Sequence, residues 1–282
     1  MRKKKILSLM ALLCLILGMY YNCSAQVDDG AVQDTVLQLK VKRYLTLGLA
    51  SYYMKLNDQH ISPLNYMGGS FLMQVGAFKR KRKTIRNLSF SGTSTILSPK
   101  PDDREIDPKG KFYRLDLSYS QHYYLRSFNE GSYRWFVGGK IRSATNVRLN
   151  PQLDGGFITF LFANGIYASS VLEREIKISS RPLTLSWQLD LPIVNHVIRP
   201  SFLNIYDFVN PENDWLEERL EDSSLKAINQ YSNITSTVSL LYPISSGNIL
   251  KFSYEWDFYH INSGLIATRG SHTYMFSFLF NF

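Results

Sequence analysis

The sequence predicts an all-β chain closed into an antiparallel transmembrane β-barrel of about ten strands, with twelve possible, preceded by a cleaved signal peptide. Three observations predict it. Segment after segment alternates apolar and polar residues with a period of two. The connections between those segments alternate short and long. The single long apolar run sits at the N-terminus behind four basic residues.

Composition narrows the alternatives. Of 282 residues, 45% are hydrophobic and 14% aromatic, with 18 Tyr and 17 Phe. A chain so rich in aromatic side chains is not disordered. A polytopic helical membrane protein would need several apolar runs of ~20 residues, and the sequence has one.

That run is the first element. Arg2, Lys3, Lys4 and Lys5 form a basic region, and Ile6 to Tyr21 is apolar apart from Ser8 and Gly18. Cys23-Ser24-Ala25 then places small residues before Gln26, so residues 1–25 read as a signal peptide cleaved after Ala25. The rival is lipidation of Cys23. Tyr20, Tyr21 and Asn22 are bulky or polar where a lipidation signal wants small residues. Cleavage removes Cys14 and Cys23, so no disulfide or thiol chemistry is expected afterwards. It also lowers the formal charge from +9 to +5, with 28 basic against 23 acidic residues. So small a charge does not point to nucleic acid. Residues 26–41 read as a polar periplasmic leader.

The barrel is expected over 42–282, with strands at 42–54, 67–79, 84–97, 111–125, 132–146, 157–171, 178–191, 230–242, 248–260 and 271–282. In the first, Leu45, Leu47 and Leu49 oppose Thr46, Gly48 and Ala50. In the fourth, Tyr113, Leu115, Leu117 and Tyr119 oppose Arg114, Asp116, Ser118 and Ser120. In the fifth, Tyr133, Trp135, Val137 and Ile141 oppose Arg134, Lys140 and Arg142. In the seventh, Leu183, Leu185, Trp187, Leu189 and Leu191 oppose Thr184, Ser186, Gln188 and Asp190. The ninth sets Leu250, Phe252, Tyr254, Trp256 and Phe258 against Lys251, Ser253, Glu255 and Asp257. The last sets Tyr274, Phe276, Phe278, Phe280 and Phe282 against Thr273, Met275, Ser277, Leu279 and Asn281. A large aromatic face opposite a face of both charge signs suits lipid outside and a polar lumen inside.

Connections after even strands are short: Arg80 to Lys83, Arg126 to Gly131, Leu172 to Lys177, and Pro243 to Gly247. Most of those after odd strands are longer: Lys55 to Tyr66, Ser98 to Gly110, Pro192 to Asn229, and Ile261 to Gly270, with Val147 to Gly156 intermediate. Short periplasmic turns and long external loops are the habit of outer-membrane barrels. Within the external loop at 192–229, Asn210, Pro211 and Glu212 suit a helix start, followed by an apolar stripe of Trp215, Leu216 and Leu220.

A C-terminal strand with a solid aromatic face and a terminal Phe282 resembles the sorting signal of bacterial outer-membrane β-barrels. The implied partners are outer-membrane lipids and the barrel assembly machinery. Three further segments carry a broader resemblance: Ile61-Ser62-Pro63-Leu64-Asn65-Tyr66, Arg148-Leu149-Asn150-Pro151, and Pro192-Ile193 with Arg199-Pro200 and Tyr206-Asp207-Phe208. Together they resemble a family of outer-membrane β-barrels of Gram-negative bacteria classed as a domain of unknown function. The third segment lacks the glycine run and paired tyrosines of that family. The resemblance implies fold and location, and carries no activity. All three segments follow odd strands and so belong at the external mouth. Proline there stiffens loops, and loop packing is favoured over a ligand-binding cap.

Candidate chemistry lies mainly on the inward face. Arg114, Asp116, Lys140, Arg142, Lys251, Glu255 and Asp257 are expected in the lumen. Ten strands are too few for an open porin-like channel, so these charges read as a paired polar core, with a narrow gated passage as the functional alternative. His122 shares a face with Ser118 and Ser120, a weak hydrolase arrangement without an orienting third group. His260 and His272 flank the last external loop near Asp257, a weak metal or proteolytic candidate. His60 and His196 are placed in external loops. Asp102, Asp103, Glu105 and Asp107 make an acidic loop that matches no calcium-loop pattern. Lys79-Arg80-Lys81-Arg82-Lys83, with Arg86, reads as a turn facing anionic headgroups rather than nucleic acid.

The sequence therefore predicts a monomeric, non-enzymatic outer-membrane barrel with a polar, occluded lumen and an external loop cap for binding or narrow passage. No cofactor or metal is expected. The alternative is a barrel lipid hydrolase or protease acting on the envelope.

Overall fold

The computed structural model describes residues 42–59, 62–99, 109–129, 132–150, 158–178, 181–199, 223–244, 246–262 and 266–282. The expected signal peptide and leader, His60, the acidic loop, the Tyr206-Asp207-Phe208 stretch and the expected 210–220 helix lie outside the described residues.

Eleven strands form one antiparallel sheet: β1 (Lys42–Asp58), β2 (Ser62–Lys81), β3 (Thr84–Pro99), β4 (Gly110–Phe128), β5 (Tyr133–Leu149), β6 (Ile158–Ile178), β7 (Arg181–Ile198), β8 (Ser223–Ala227), β9 (Tyr231–Pro243), β10 (Ile249–Ile261) and β11 (Ala267–Asn281). Ten of them close a ring in the order β6-β5-β4-β3-β2-β1-β11-β10-β9-β7, with β7 returning to β6. The closing seam of β1 and β11 pairs Leu45 with Phe280 and Leu49 with Phe276. Phe282 N–H donates to the Arg43 carbonyl at 3.2 Å, tying the last residue to the first strand. Closure leaves no edge whose N–H and C=O groups would face lipid unpaired.

The ten expected strands all form, and several run longer. β1 reaches Asp58 and β2 starts at Ser62, so the connection expected over 55–66 shrinks to three residues. Residues 172–177, expected as a turn, lie within β6. β7 continues past Pro192 to Ile198, because that proline sits at a bulge: Ile166 pairs with Val194 and Tyr167 with Pro192, leaving Ile193 over. A bulge tolerates a residue without an N–H, so proline bends the strand without ending it. His196 is consequently a strand residue facing Leu225 of β8, not a loop residue. β8 is the part of the great loop that pairs. It adds to the upper edge of β7 above β9 and leaves the ring at ten strands.

The outer surface is the apolar belt that the alternation predicts. Leu47, Phe71, Met73, Leu117, Ile166, Phe252 and Phe276 are all exposed. An apolar surface covering a closed barrel matches a lipid solvent. Leu183 is the exception, being buried although its neighbours Leu185 and Trp187 are exposed.

Candidate functional site: the bore and its mouth

The inward face is layered, with apolar clusters beside the polar lumen that the sequence predicts. Towards the long-loop rim, Tyr52, Met54, Leu56, Leu97, Phe112, Leu161, Tyr231 and Ile261 pack into one apolar cluster. In β1 this comes from the run Ala50, Tyr52, Met54 and Leu56, all buried, which abandons the polar alternation of the lower strand. Towards the short-turn rim a smaller cluster holds Ile85, Phe136 and Val171. Between the two clusters lie Asp257, Asp116 and Asp190 with their cationic partners.

Asp257 on β10 is the centre of the largest charged group and is fully buried. Its carboxylate accepts from Arg269 Nη2 at 2.7 Å, Arg114 Nη2 at 3.1 Å, and Arg142 Nη1 and Nη2 at 3.3 Å. Asn233 Nδ2 adds a donor at 2.8 Å and Thr235 Oγ1 one at 3.3 Å. Asp116 on β4 balances part of the arginine charge, accepting from Arg142 Nη2 at 2.6 Å and Nε at 2.8 Å, and from Arg114 Nη2 at 3.1 Å. β4 and β10 stand on opposite sides of the ring, so Arg114 reaches Asp257 across the whole bore. Three arginines against two aspartates leave this group one positive charge.

Below it, a chamber opens towards the short-turn rim, with a cavity of about 90 Å³ lined by Lys140, Lys251, Glu255, Gln74, Asn87 and Ser120, among others. Lys251 and Glu255 thus line the chamber. Lys140 Nζ donates to Asp190 at 2.8 Å. Asp190 also accepts from Gln188 Nε2 at 2.8 Å and from Ser169 Oγ at 2.5 Å. Nearer the short-turn rim, Arg80 forks onto Glu173 at 2.9 and 2.5 Å.

The histidines correct the sequence expectation. His122 is buried on the inward face of β4, but its partner is Ser169 of β6, with Nε2 and Oγ 2.7 Å apart. Ser118 instead pairs with Ser89 at 2.9 Å, and Ser120 lines the chamber. A histidine, a serine and an aspartate therefore meet, in the wrong order for nucleophilic catalysis. The hydroxyl has one proton, and the 2.5 Å contact to a carboxylate takes it. His122 Nε2 must then be the donor to Ser169 and cannot accept its proton. His122 Nδ1 is buried without a partner, so no carboxylate orients the ring. His260 and His272 do not join Asp257 either. Asp257 points inward, whereas both histidines share the outward parity of Phe258 and Tyr274, and His272 Nδ1 meets the Tyr254 hydroxyl at 2.8 Å. One residue of register separates the two faces of a strand. Among the described residues, no three of His, Cys, Asp or Glu gather as a metal site.

Described residues from each of the three segments singled out in the sequence lie at one rim. Tyr66, Arg148 with Asn150, and Arg199 all lie at the long-loop mouth. The Arg148 guanidinium stacks on the Tyr66 ring at 4.0 Å, and its Nε donates to Asn150 Oδ1 at 2.8 Å. Arg199 pairs with Asp58. No single segment announces this arrangement, because it depends on β1, β2, β5 and β7 ending at one rim.

At the opposite rim, Arg43, Lys79 and Arg86 form one row across β1, β2 and β3 through the pairs Arg43 with Lys79 and Lys79 with Arg86. Arg80 leaves the basic run by pointing inward to Glu173.

These features define a closed transmembrane β-barrel with charged groups paired across its bore. Its fold is similar to Neisserial surface protein A, at 8% identity and a TM-score of 0.34 over 84% of this chain and 97% of that one. It is similar to the translocator domain of the autotransporter NalP from Neisseria meningitidis, at 10% identity and a TM-score of 0.37 over 98% of each chain. It is also similar to the β domain of the Bordetella autotransporter BrkA, at 8% identity and a TM-score of 0.37 over 85% of this chain and 100% of that one. These neighbours are outer-membrane β-barrel proteins. No protein-family model matches the chain, and no curated protein matches it.

Proposed function

We propose that this is an outer-membrane barrel whose bore is sealed and whose work is binding at its mouth, rather than conduction or catalysis. The chain would be exported through its N-terminal signal, which is cleaved after Ala25, and assembly would use the C-terminal strand ending at Phe282. The observation that carries the reading is the Asp257 knot. Arginines from β4, β5 and β11 meet one carboxylate from β10 and fill the bore from wall to wall. An apolar cluster stacked above it gives ions no hydrated path.

The basic row at the short-turn rim supports the membrane placement. Arg43, Lys79 and Arg86 would lie against anionic headgroups, each worth about 1 kcal/mol near such a surface. The test of the main reading is planar-bilayer recording of the purified barrel. The expected result is no steady conductance. A reproducible ohmic channel in the unaltered protein would overturn the sealed bore.

A further inference from the structure

We propose that the long-loop mouth holds a binding site for a small monocarboxylate, gripped by Arg148. This rests on the reading of the mouth as the binding end and names its ligand class; it does not depend on the sealed bore, so it survives or fails whether or not the bore conducts.

Arg148 is 3% exposed, yet neither terminal nitrogen has a hydrogen-bond partner. A buried guanidinium normally satisfies its donors, and leaving them unmet is costly. The side chain is also held rigidly. Tyr66 covers one face of the guanidinium and Asn150 anchors Nε. The Nη1 and Nη2 edge is left over, and that edge is the fork that matches the two oxygens of a carboxylate.

Arg148 lines a pocket of about 40 Å³ together with Asn146, Thr159, Phe112 and Tyr259. At ~10–15 Å³ per water this is room for about three waters, enough for a carboxylate head with a short apolar tail. Charge selects the class further. Asp58 and Arg199 also line the pocket and neutralise each other, so Arg148 supplies a net charge of one. That suits a monoanion better than the phosphate dianion, whose second charge would be left without a counter-charge.

The backbone is cut to fit this clamp. A Cβ on Gly110 would lie 2.6 Å from Asn150 Oδ1 and 3.6 Å from Arg148 Nε. Glycine at the start of β4 therefore lets Asn150 seat against Arg148. Gly110 is a positioning residue, and its conversion to alanine should unseat the guanidinium without removing its charge.

The experiment is saturation-transfer NMR of propionate with the full barrel folded in zwitterionic detergent, with inorganic phosphate as competitor. Saturable binding is expected. Arg148→Gln, Arg148→Lys and Gly110→Ala should each weaken it by about ten-fold or more, as expected for loss of a bidentate charge-assisted contact. Heat-modifiable gel mobility reports that each variant is folded. If Arg148→Gln does not fold, Arg148→Lys and Gly110→Ala decide. Absence of saturable propionate binding to the unaltered protein would overturn the proposal, as would folded variants that bind like it. Displacement of propionate by equimolar phosphate would show a general oxyanion site and overturn the monocarboxylate assignment.

Discussion

Asp257 and Asp190 are both inward-facing, nearly inaccessible carboxylates, and their surroundings differ in kind. Asp257 is ringed by three guanidinium groups from three strands. Asp190 has one ammonium partner, Lys140, and is otherwise satisfied by Ser169 and Gln188. The first is a knot that joins opposite walls. The second is a local patch on neighbouring strands of one wall. A buried charge is tolerated either way, provided its lone pairs are filled. What differs is how much of the barrel depends on it.

The largest effect is therefore expected from Asp257→Asn. Removing the charge leaves three guanidinium groups with Asp116 as the one carboxylate of the group, and breaking a buried ion group of this kind costs about 3–5 kcal/mol. Urea unfolding in detergent or lipid should show the loss, or the folded band should vanish from unheated gels. Asp190→Asn should cost less, about 1–3 kcal/mol, since the amide oxygen still accepts and only Lys140 loses its counter-charge. Equal losses for the two variants would erase the distinction between knot and patch.

Gly138→Ala tests the wall beside His122. A Cβ at Gly138 would lie 1.9 Å from the Gln121 carbonyl oxygen and 2.8 Å from His122 Cα. Both are backbone atoms, so the strands must part, at an expected cost of about 1–3 kcal/mol. The smallest effect is expected from Ser169→Ala, about 1 kcal/mol, read from the same unfolding midpoint. Any lipase or peptidase activity abolished by Ser169→Ala in a folded barrel would contradict the donor order at His122.

How much of this was readable beforehand divides by periodicity. Strand positions and faces followed from alternation in β4, β10 and β11, because side chains on a strand repeat every two residues. That Arg114, Asp116, Arg142 and Asp257 face the bore followed as well. Their meeting did not, since β4 and β10 touch only across a closed ring. The extra length of β7 was hidden by Pro192, which a bulge accommodates. Ser169 went unnoticed because serine on a lumen face is commonplace and its partner lies 47 positions away. The His260 and His272 candidates failed on parity, which the strand containing Asp257 already implied.

Local patterning is enough for a lipid-type outer surface and an inward face carrying charge, because both are written in a two-residue period. Ring closure and strand register set which charges neutralise which, where the bore turns from polar to apolar, and that Tyr66, Arg148 and Arg199 share one mouth. Those depend on register and on closure between strands far apart in the chain, and no local pattern encodes a distance across a barrel.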